Sequence, residues 1–345
     1  MMLGDYGADV IKVERPGAGD ETRTWGPPFD ARRESAYYLS VNRNKLSVAL
    51  DLDVAGDREI VRALALDADV VVENFKRGTL DRRGLGAGDL LAANPRLVWC
   101  TISGFGEASD RPGYDFVAQA EAGWMAITGE RDGAPMKVGV ALADVIAGKD
   151  AAAAILATVA ARAQRALPPN ERHVHISLLH SATSALVNVA QNVLVSGNDA
   201  RRWGNAHPNL TPYELFDAAD GAVVIAVGSD AQWLACTRAL GLDDLARDAA
   251  LRENAGRLAQ RERIVATIAR CVKVLRTGDV LGRLQKVGVP CGVVKPVRAA
   301  LHAVDASPLT GVAPQASGTV RFPPPKLDEH GETIRQRGWG VFRIR

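Results

Sequence analysis

Aromatic residues are scarce in this sequence, at 5% of its 345 residues, and cysteine occurs only four times. The cysteines, at positions 100, 236, 271 and 291, form no C-x-x-C pair, and their spacing fits neither a zinc site nor a dense disulfide framework. We therefore expect reduced thiols in a cytoplasmic protein that holds no metal.

The sequence has no large excess of positive or negative charge, because its 42 Lys and Arg nearly balance its 40 Asp and Glu, for a net charge of +2. Such a balance predicts no binding to nucleic acid or to an anionic membrane surface. The sequence also lacks the run of about 18 apolar residues that a membrane span needs. Its first residues have neither a basic region nor an apolar core, so we expect no signal peptide.

Hydrophobic residues make up 47% of the chain, enough for a sizeable core, and the length suggests about two domains. Short β-branched runs at 9–14, 46–50, 69–73 and 97–102 predict strands, with helical patterns at 57–66 and 79–93 between them. This alternation predicts an α/β fold with a parallel sheet. Because another strand and helix would normally precede the first of these strands, we expect the chain to be shortened at its N-terminus.

The second half of the chain predicts two long helices, at 147–167 and 178–194, followed by a linker at 196–205. A hairpin is expected around Asp220 and Gly221. These patterns predict a large domain over 1–198, a smaller α/β domain over 199–300, and a C-terminal segment, 301–345, that returns to the large domain.

Two motif-like stretches lack the context that their chemistry needs. The glycine-rich run at 84–88 has no G-x-G-x-x-G spacing, so we interpret it as a surface turn. His173 and His175 form an H-x-H without an H-E-x-x-H, and structural or surface roles are the default interpretation.

Several segments together resemble the class III CoA-transferase family, which includes formyl-CoA transferases, carnitine CoA-transferases and 2-methylacyl-CoA racemases. They occur in the order of the family and span nearly the whole chain. The segments are LGDYGADVIKVERPGAGD (3–20), VNRNKLSVALDL (41–52), VVENFKRGTLDRRGL (71–85), GYDFVAQA (113–120), VGVALADVIAG (138–148), RWGNAHPNLTPY (202–213), VGVPCGVV (287–294) and PPPKLDEH (323–330).

The resemblance implies a Rossmann-like large domain and a smaller domain, joined by long linkers into an interlocked homodimer. It implies an enzyme that moves CoA from an acyl-CoA to a carboxylic acid, with CoA as a substrate and no permanently bound cofactor. Family members begin with an additional strand and loop that help to bind CoA, and this chain lacks them.

The nucleophilic aspartate of the family corresponds to Asp144. Local sequence fits this role, because apolar residues flank Asp144 and it immediately precedes the alanine-rich helix, whose N-terminus stabilises negative charge. Gly139 and Gly148 are expected to let backbone and ligand approach closely. The alternative is an ordinary helix cap, since Asp is favoured at that position in any protein.

Other positions match family contacts to the acyl-CoA, and a plain structural alternative stays open for several. Arg15 and Arg82 are either contacts to the nucleotide end of CoA or solvated surface charges. Gly228 belongs either to a loop that covers the active site, together with Gln232 and Trp233, or to a simple strand-to-helix turn. The full set of predicted binding residues is Arg15, Leu50, Asn74, Phe75, Arg82, Tyr114, Asp115 and Gly228.

Tyr114 bears on the reaction type. In the racemases a histidine base precedes the aspartate of this segment, and Tyr is a poor base near neutral pH. Tyr114 therefore favours CoA transfer over racemisation, unless it is a packing aromatic. The segments KVGVALAD (137–144) and RWGNAHP (202–208) resemble the branch of the family that uses dicarboxylates such as succinate and glutarate. The alternatives are a 2-methylacyl-CoA racemase and a catalytically silent CoA-binding homologue.

Overall fold

The computed structural model describes residues 1–314 and 317–344, without the side chain of Ile344. It divides into two compact units. The first comprises Met1–Trp124, Lys137–Gln191 and Leu301–Arg345, and the second comprises Met125–Met136 and Asn192–Ala300. The predicted domain boundaries stay a prediction, because compactness alone does not define an independently folding domain. Within the predicted C-terminal segment, positions 315, 316 and 345 lie outside the described residues.

Ten strands lie in the described residues. In chain order they are β1 (Ile11–Glu14), β2 (Leu46–Ala49), β3 (Val70–Glu73), β4 (Val98–Ser103), β5 (His173–Ser177), β6 (Tyr213–Ala218), β7 (Gly221–Ala226), β8 (Cys291–Val293), β9 (Ala306–Ser307) and β10 (Gly311–Val312).

The same residues form seventeen α-helices and four short 3₁₀ helices. The α-helices are α1 (Met2–Asp5), α2 (Ala36–Val41), α3 (Ala55–Leu66), α4 (Ala87–Ala93), α5 (Asp115–Glu121), α6 (Trp124–Ile127), α7 (Leu142–Gln164), α8 (Pro169–Arg172), α9 (Leu178–Ser184), α10 (Asn188–Ser196), α11 (Asp230–Ala239), α12 (Asp243–Arg247), α13 (Asn254–Ala259), α14 (Arg261–Lys273), α15 (Thr277–Gln285), α16 (Val297–Leu301) and α17 (Gly331–Arg337). The 3₁₀ helices are Glu21–Thr24, Asp81–Arg83, Ala249–Leu251 and Gly338–Ile344.

Parallel strands make up the two main sheets of the first unit. β1 pairs with β2 in the register Ile11↔Leu46, and β4 pairs with β3 on one side and β5 on the other. β-branched residues such as those of β3 suit these pleated, half-buried positions. Edges of β1 and β3 both face one large cleft, and neither strand has a second strand partner among the described residues.

These strands confirm the four predicted in the first part of the chain, and α3 confirms the helix predicted at 57–66. The helix predicted at 79–93 is wrong, because the chain forms a 3₁₀ turn and then α4. Gly84 breaks the pattern with a φ of 69°, a left-handed conformation that glycine adopts without strain.

Two later helices also differ from expectation. The helix predicted at 178–194 is interrupted between α9 and α10, where Val187 has a φ of 43°. α7 begins at Leu142, earlier than the predicted start at 147, and runs to Gln164. Ala141, its N-cap residue, offers no side-chain hydrogen bond, so the local start signal is missing.

The core of the first unit is divided among several small apolar clusters. One of them packs Leu46 and Val48 of β2 against Ile334 and Val341 from the C-terminal part of the chain. The backbone N–H of Asn44 also donates to the Phe322 carbonyl, and the Phe322 N–H donates to Asn44 Oδ1. The middle of β2 is therefore covered by residues almost 300 positions away.

The second unit has an antiparallel sheet in the order β6-β7-β8. β6 and β7 form the predicted hairpin, with Ala218 paired to Gly221 next to the turn. One face of this sheet packs on α11, α14 and α15 in a single large apolar cluster, which includes Ile225, Trp233 and Ile268. Separately, no helix in the described part of the chain has the length and apolar character to cross a membrane.

Candidate active site

The first turn of α7 carries Asp144. Because Ala141 is the N-cap residue and Leu142 the first helical residue, Asp144 is the third residue inside the helix. The alternative interpretation of Asp144 as a helix cap is therefore wrong. Its side chain is exposed on the wall of the cleft, next to a helix N-terminus that favours negative charge by about 0.3–1 kcal/mol.

A residue from another helix caps α7. Asp115 is the first residue of α5, and its Oδ1 accepts a hydrogen bond from the backbone N–H of Ala143 at 2.9 Å. This bond satisfies one of the amide donors that every helix leaves unpaired at its N-terminus. Asp115 thereby ties the start of α7, and with it Asp144, to α5.

A buried glutamine holds the segment that leads into Asp144. Gln119 has no solvent exposure, and its Nε2 donates to Asp115 Oδ2 at 2.7 Å and to the Val140 carbonyl at 3.2 Å. Its Oε1 accepts from the Val138 backbone N–H at 2.8 Å. The sequence analysis assigned no role to Gln119. A usable signal was its position one helical turn after Asp115, which puts both side chains on the same face.

Two glycines allow α5 to start close to the end of β4. A Cβ on Gly113 would lie 2.3 Å from the Gly104 Cα, and a Cβ on Gly104 would lie 2.5 Å from the Gly113 Cα. Any side chain at either position would force the two backbones apart. Since Gly104 follows β4 and Gly113 precedes Tyr114 and Asp115, this contact sets where α5 begins.

The carboxylate of Asp144 is harder to ionise than an ordinary aspartate. Desolvation by the surrounding protein, followed by the negative charge of Asp115, raises the pKa of Asp144 to about 6. Water reaches the group through the open side of the cleft, but protein atoms replace much of its hydration shell. At neutral pH the carboxylate is still ionised, and weaker solvation together with higher basicity makes it a better nucleophile.

Two aromatic residues near these carboxylates were missed by the sequence analysis. Desolvation raises the pKa of Tyr37, and the charges of Asp144 and Asp115 raise it further, so its phenol lies within their electrostatic range. Tyr37 contacts Trp25 edge-on, with ring centroids 5.0 Å apart. The exposed fractions of Trp25 and Tyr37 are 43% and 42%, which leaves both rings accessible to a ligand.

The cleft has a volume of about 3460 Å³ and lies within the first unit. Asp144 lines it together with six of the predicted binding residues, which are Arg15, Leu50, Asn74, Phe75, Tyr114 and Asp115. They come from the ends of β1, β2 and β3 and from the start of α5. In parallel α/β sheets, ligands bind at such carboxyl ends of strands.

These residues differ in how much surface they offer. Tyr114 is 59% exposed and Phe75 49%, so Tyr114 does not fit the alternative of a packing aromatic. Arg15 is also exposed. Leu50 is only 1% exposed and belongs to the β2 core cluster, so its predicted contact with adenine would require local movement.

Two predicted residues lie elsewhere. Arg82 borders a separate hollow of about 490 Å³ with Asp53, Arg58 and Arg83, and Arg83 forms an ion pair with Asp53 at 2.7 Å. Arg82 does not line the cleft that contains Asp144.

Gly228 belongs to the second unit, at the start of α11. Its N–H donates to Gln232 Oε1 at 2.9 Å, while Ser229 Oγ accepts from the Gln232 N–H at 3.2 Å. Trp233 is 1% exposed within the apolar core, so the expectation that it forms part of a covering loop is wrong. A buried indole in a helix cannot act as a mobile cover.

Gly139 and Gly148 are expected to let backbone and ligand approach closely, and that expectation stays a prediction. A Cβ on Gly139 or Gly148 would meet no protein atom within 4 Å, and both glycines line the cleft. They leave space on the ligand side rather than packing against protein.

The histidines of the H-x-H contact each other and their neighbours. The His173 and His175 ring centroids are 3.8 Å apart, and His173 Nε2 lies 3.0 Å from Thr101 Oγ1. Burial lowers the pKa of His173 to about 4. Among the described residues no group of three or more His, Cys, Asp or Glu side chains has the arrangement of a metal site.

Comparison with known proteins identifies the class to which this fold and site belong. The family model for CoA-transferase family III matches residues 1–331. The chain therefore belongs to CoA-transferase family III and is an enzyme of that class, which confirms the resemblance noted in the sequence.

Individual relatives agree with this assignment. The chain is 38% identical to succinate–glutarate CoA-transferase of Agrobacterium fabrum over 95% of this chain and 88% of that protein. It is 40% identical to succinyl-CoA:glutarate CoA-transferase of Mus musculus, over 86% of this chain and 68% of the relative. A CAIB/BAIF family protein from Brucella suis has a similar structure, with a TM-score of 0.81 and 38% identity over 97% of this chain and 93% of that one. The predicted mixed α/β fold with parallel strands is thus confirmed.

Proposed function

We propose that this enzyme transfers CoA between dicarboxylic acids, with succinyl-CoA as donor, glutarate as acceptor and Asp144 as a covalent nucleophile. The observation that carries the proposal is the environment of the Asp144 carboxylate. Asp144 is an ionisable carboxylate with a raised pKa, exposed in a cleft and held by Asp115 and Gln119 in a defined backbone segment. The named activities of the relatives support the choice of acids.

In the first half of the reaction, an Asp144 oxygen attacks the thioester carbonyl carbon of succinyl-CoA and expels the CoA thiolate. This step leaves an aspartyl–succinyl anhydride. The thiolate then attacks the Asp144 carbonyl carbon, which breaks the anhydride, releases succinate and leaves CoA attached to Asp144 as a thioester.

The second half reverses these steps with another acid. A glutarate oxygen attacks the Asp144 thioester carbon and expels the thiolate, which gives an aspartyl–glutaryl anhydride. The thiolate attacks the glutaryl carbonyl, so glutaryl-CoA leaves and the Asp144 carboxylate is restored. One thioester replaces another, so the exchange is close to thermoneutral and CoA serves as a substrate throughout.

Each attack places negative charge on a carbonyl oxygen. The backbone N–H of Asp144 has no acceptor among the described residues and lies in the first turn of α7. Such a donor at a helix N-terminus suits stabilisation of an oxyanion. Tyr37, whose phenol lies within electrostatic range of both carboxylates, is a second candidate donor.

The decisive experiment incubates the enzyme with succinyl-CoA and glutarate and measures glutaryl-CoA by mass spectrometry. We expect Asp144→Ala to lower the rate by about a thousandfold or more, as loss of a covalent nucleophile does. Asp89→Ala is the matched control, because Asp89 is also the third residue of an exposed helix start, in α4, but does not line the cleft. Undiminished transfer by Asp144→Ala would exclude the covalent mechanism.

A trapping experiment tests the intermediate itself. Intact wild-type protein mixed with succinyl-CoA and no acceptor should gain the mass of CoA less one water, located by peptide mapping at Asp144. Incorporation of solvent deuterium at the α-carbon without any transfer would instead indicate the racemase reaction. Binding of CoA with neither outcome would indicate a silent homologue.

We also propose that the enzyme works as a cytoplasmic homodimer. Large apolar side chains are unusually exposed in the single chain, among them Leu194 and Val195 at 77% each and Val187 at 70%. Exposed apolar surface of this kind is typical of an interface. Light scattering coupled to size exclusion should give twice the chain mass, and a monomer at micromolar concentration would contradict the proposal.

A further inference from the structure

Three arginines surround a single indole in the second unit. The guanidinium carbons of Arg201, Arg261 and Arg131 lie 4.1, 5.0 and 5.5 Å from the centroid of the Trp203 ring. All three distances are within cation–π range. The arginines come from separate places in the sequence, namely the segment after α10, the start of α14 and the 125–136 segment.

None of the three arginines forms an ion pair within 4.0 Å among the described residues, and Arg261 Nη2 donates to the Pro208 carbonyl at 3.1 Å. Desolvation lowers the pKa of Arg261, the negative charge of Glu214 raises it, and the positive charges of Arg131 and Arg201 lower it further. Glu214 offsets part of the repulsion among the three guanidinium groups, and a bound anion would offset more of it.

Two buried polar atoms at this cluster lack hydrogen-bond partners. Arg261 Nη1 has no acceptor and Glu214 Oε1 has no donor, although Glu214 lies within electrostatic range of Arg261 and Arg131. Burial raises the pKa of Glu214, and the positive charges of Arg261 and Arg131 oppose that rise. Unpaired buried donors are uncommon in native proteins and indicate a missing partner.

The segment that carries Arg131 is held in place. Arg202 donates from Nη2 to the Gly133 carbonyl at 2.7 Å and from Nε to the Glu130 carbonyl at 3.1 Å. The guanidinium group of Arg131 therefore starts from an anchored loop, so less conformational entropy would be lost when it binds a ligand.

We infer that Arg131, Arg201 and Arg261 around Trp203 form a binding site for an oxyanion, either a carboxylate or a phosphate group. Planar guanidinium groups bind both through paired N–H···O bonds. In a CoA-transferase the carboxylate would be that of a dicarboxylic acid, and the phosphate would be one of those of CoA. The assignment to a substrate rests on the proposed function, whereas the existence of the oxyanion site does not.

The test measures binding of succinate and of inorganic phosphate to the whole protein by titration calorimetry up to millimolar concentrations. Arg201→Gln should weaken binding of the preferred anion about tenfold to a hundredfold, since it removes a charge-assisted pair. Arg247→Gln is the matched control, because Arg247 is an exposed arginine of α12 in the same unit. Arg131→Gln and Arg201→Lys provide second variants in case the first one is unstable.

Kinetics distinguish the two sources of the anion. If the site takes a carboxylate, Arg201→Gln raises the KM for glutarate more than the KM for butyrate, which has no second carboxylate. If it takes a phosphate of CoA, the KM for the acyl-CoA donor rises with either acceptor, and calorimetry shows weaker phosphate binding.

Two results would overturn the inference. One is that neither anion binds the wild-type protein, and the other is that Arg201→Gln binds as the control does while only its Tm falls, which would assign the cluster to structure alone. Because calorimetry needs no turnover, a protein without transferase activity would refute the proposed function and still allow the oxyanion site to be tested.

Discussion

The two compact units of this enzyme bury different kinds of groups. In the first unit, Arg23 is 7% exposed and forms ion pairs with Glu14 and Glu34, whose side chains are also buried. Its guanidinium also donates to Tyr38 at 2.6 Å. The second unit instead packs one large apolar cluster between a sheet and helices.

In the first unit, the buried hydrogen bonds and ion pairs around Glu14 hold the end of a strand in a fixed position. Desolvation alone would raise the pKa of Glu14, but hydrogen bonds from Arg23 and Ser47 outweigh it and hold the pKa below its ordinary value. Since Glu14 ends β1 and Arg15 follows it, the network also fixes where Arg15 emerges. Directional bonds specify position, whereas apolar contacts mainly supply stability.

The largest effect should come from breaking the buried network of the first unit. Arg23→Ala leaves Glu14 and Glu34 buried without their cation, and we expect a loss of about 3–5 kcal/mol in the free energy of unfolding. Urea unfolding measures it. Arg263→Ala, which breaks an exposed pair with Asp248, is the control and should cost less than about 1 kcal/mol. Equal effects would mean that burial of the network is unimportant.

A core substitution in the second unit should have the next largest effect. Ile268→Ala removes a side chain with 0% exposure and should cost about 2–5 kcal/mol, since the cavity adds to the lost burial. Val274→Ala, at a site that is 79% exposed, should change stability by no more than about 0.5 kcal/mol. We expect Ile268→Ala to leave the KM values of the folded enzyme unchanged, and a large change would argue against a purely packing role.

Gln119 should affect the rate more than stability. Gln119→Leu keeps the size of the side chain but removes its bonds to Asp115 and to the segment before α7. A misplacement of Asp144 by about 1 Å should lower kcat about tenfold to a hundredfold with little change in KM. Gln164→Leu, at the exposed end of the same helix α7, is the control. An unchanged kcat for Gln119→Leu would show that the segment before α7 keeps its position without the hydrogen bonds of Gln119.

The smallest effect concerns pH. The proposed attack by Asp144 requires its ionised form, so kcat/KM should rise with pH through an apparent pKa of about 6. Asp115→Asn removes the negative charge that, after desolvation, raises this pKa, so the acidic limb of the pH profile should move to lower pH. Pre-steady-state or steady-state rates between pH 4 and 8, compared with Asp89→Asn, measure the shift. If the acidic limb of the pH profile stays in place or moves to higher pH, the limb does not report the ionisation of Asp144 beside Asp115.

Local sequence predicted the parallel strands well because their signal is local. The runs of β3 and β4 are β-branched or apolar and are bounded by turn residues, and the hairpin at Asp220 and Gly221 follows from turn chemistry. Helix boundaries were predicted less well. The break at Val187 and the 3₁₀ turn before α4 depend on backbone conformations that helical periodicity does not reveal.

Within the site, the sequence pointed to Asp144 and to six further residues that line its cleft, because their order along the chain resembles that of a family. It did not point to Tyr37 or Trp25. Tyr37 and Tyr38 are neighbours in the sequence with the same side chain. Only tertiary packing places Tyr37 in the cleft and buries Tyr38 in the ion-pair network of Arg23.

By itself the sequence determined the class of enzyme, four parallel strands and the aspartate that we propose as the nucleophile. Tertiary structure decided how that aspartate is held, since the helix that carries it has no side-chain cap of its own. Its Ala143 N–H is instead capped by Asp115, which lies 28 residues earlier in the chain than Ala143. It also decided that Arg131, Arg201 and Arg261 meet at one indole. Both arrangements join residues that are far apart in the chain. Such contacts form only when folding closes the intervening loops, so local sequence patterns do not predict them.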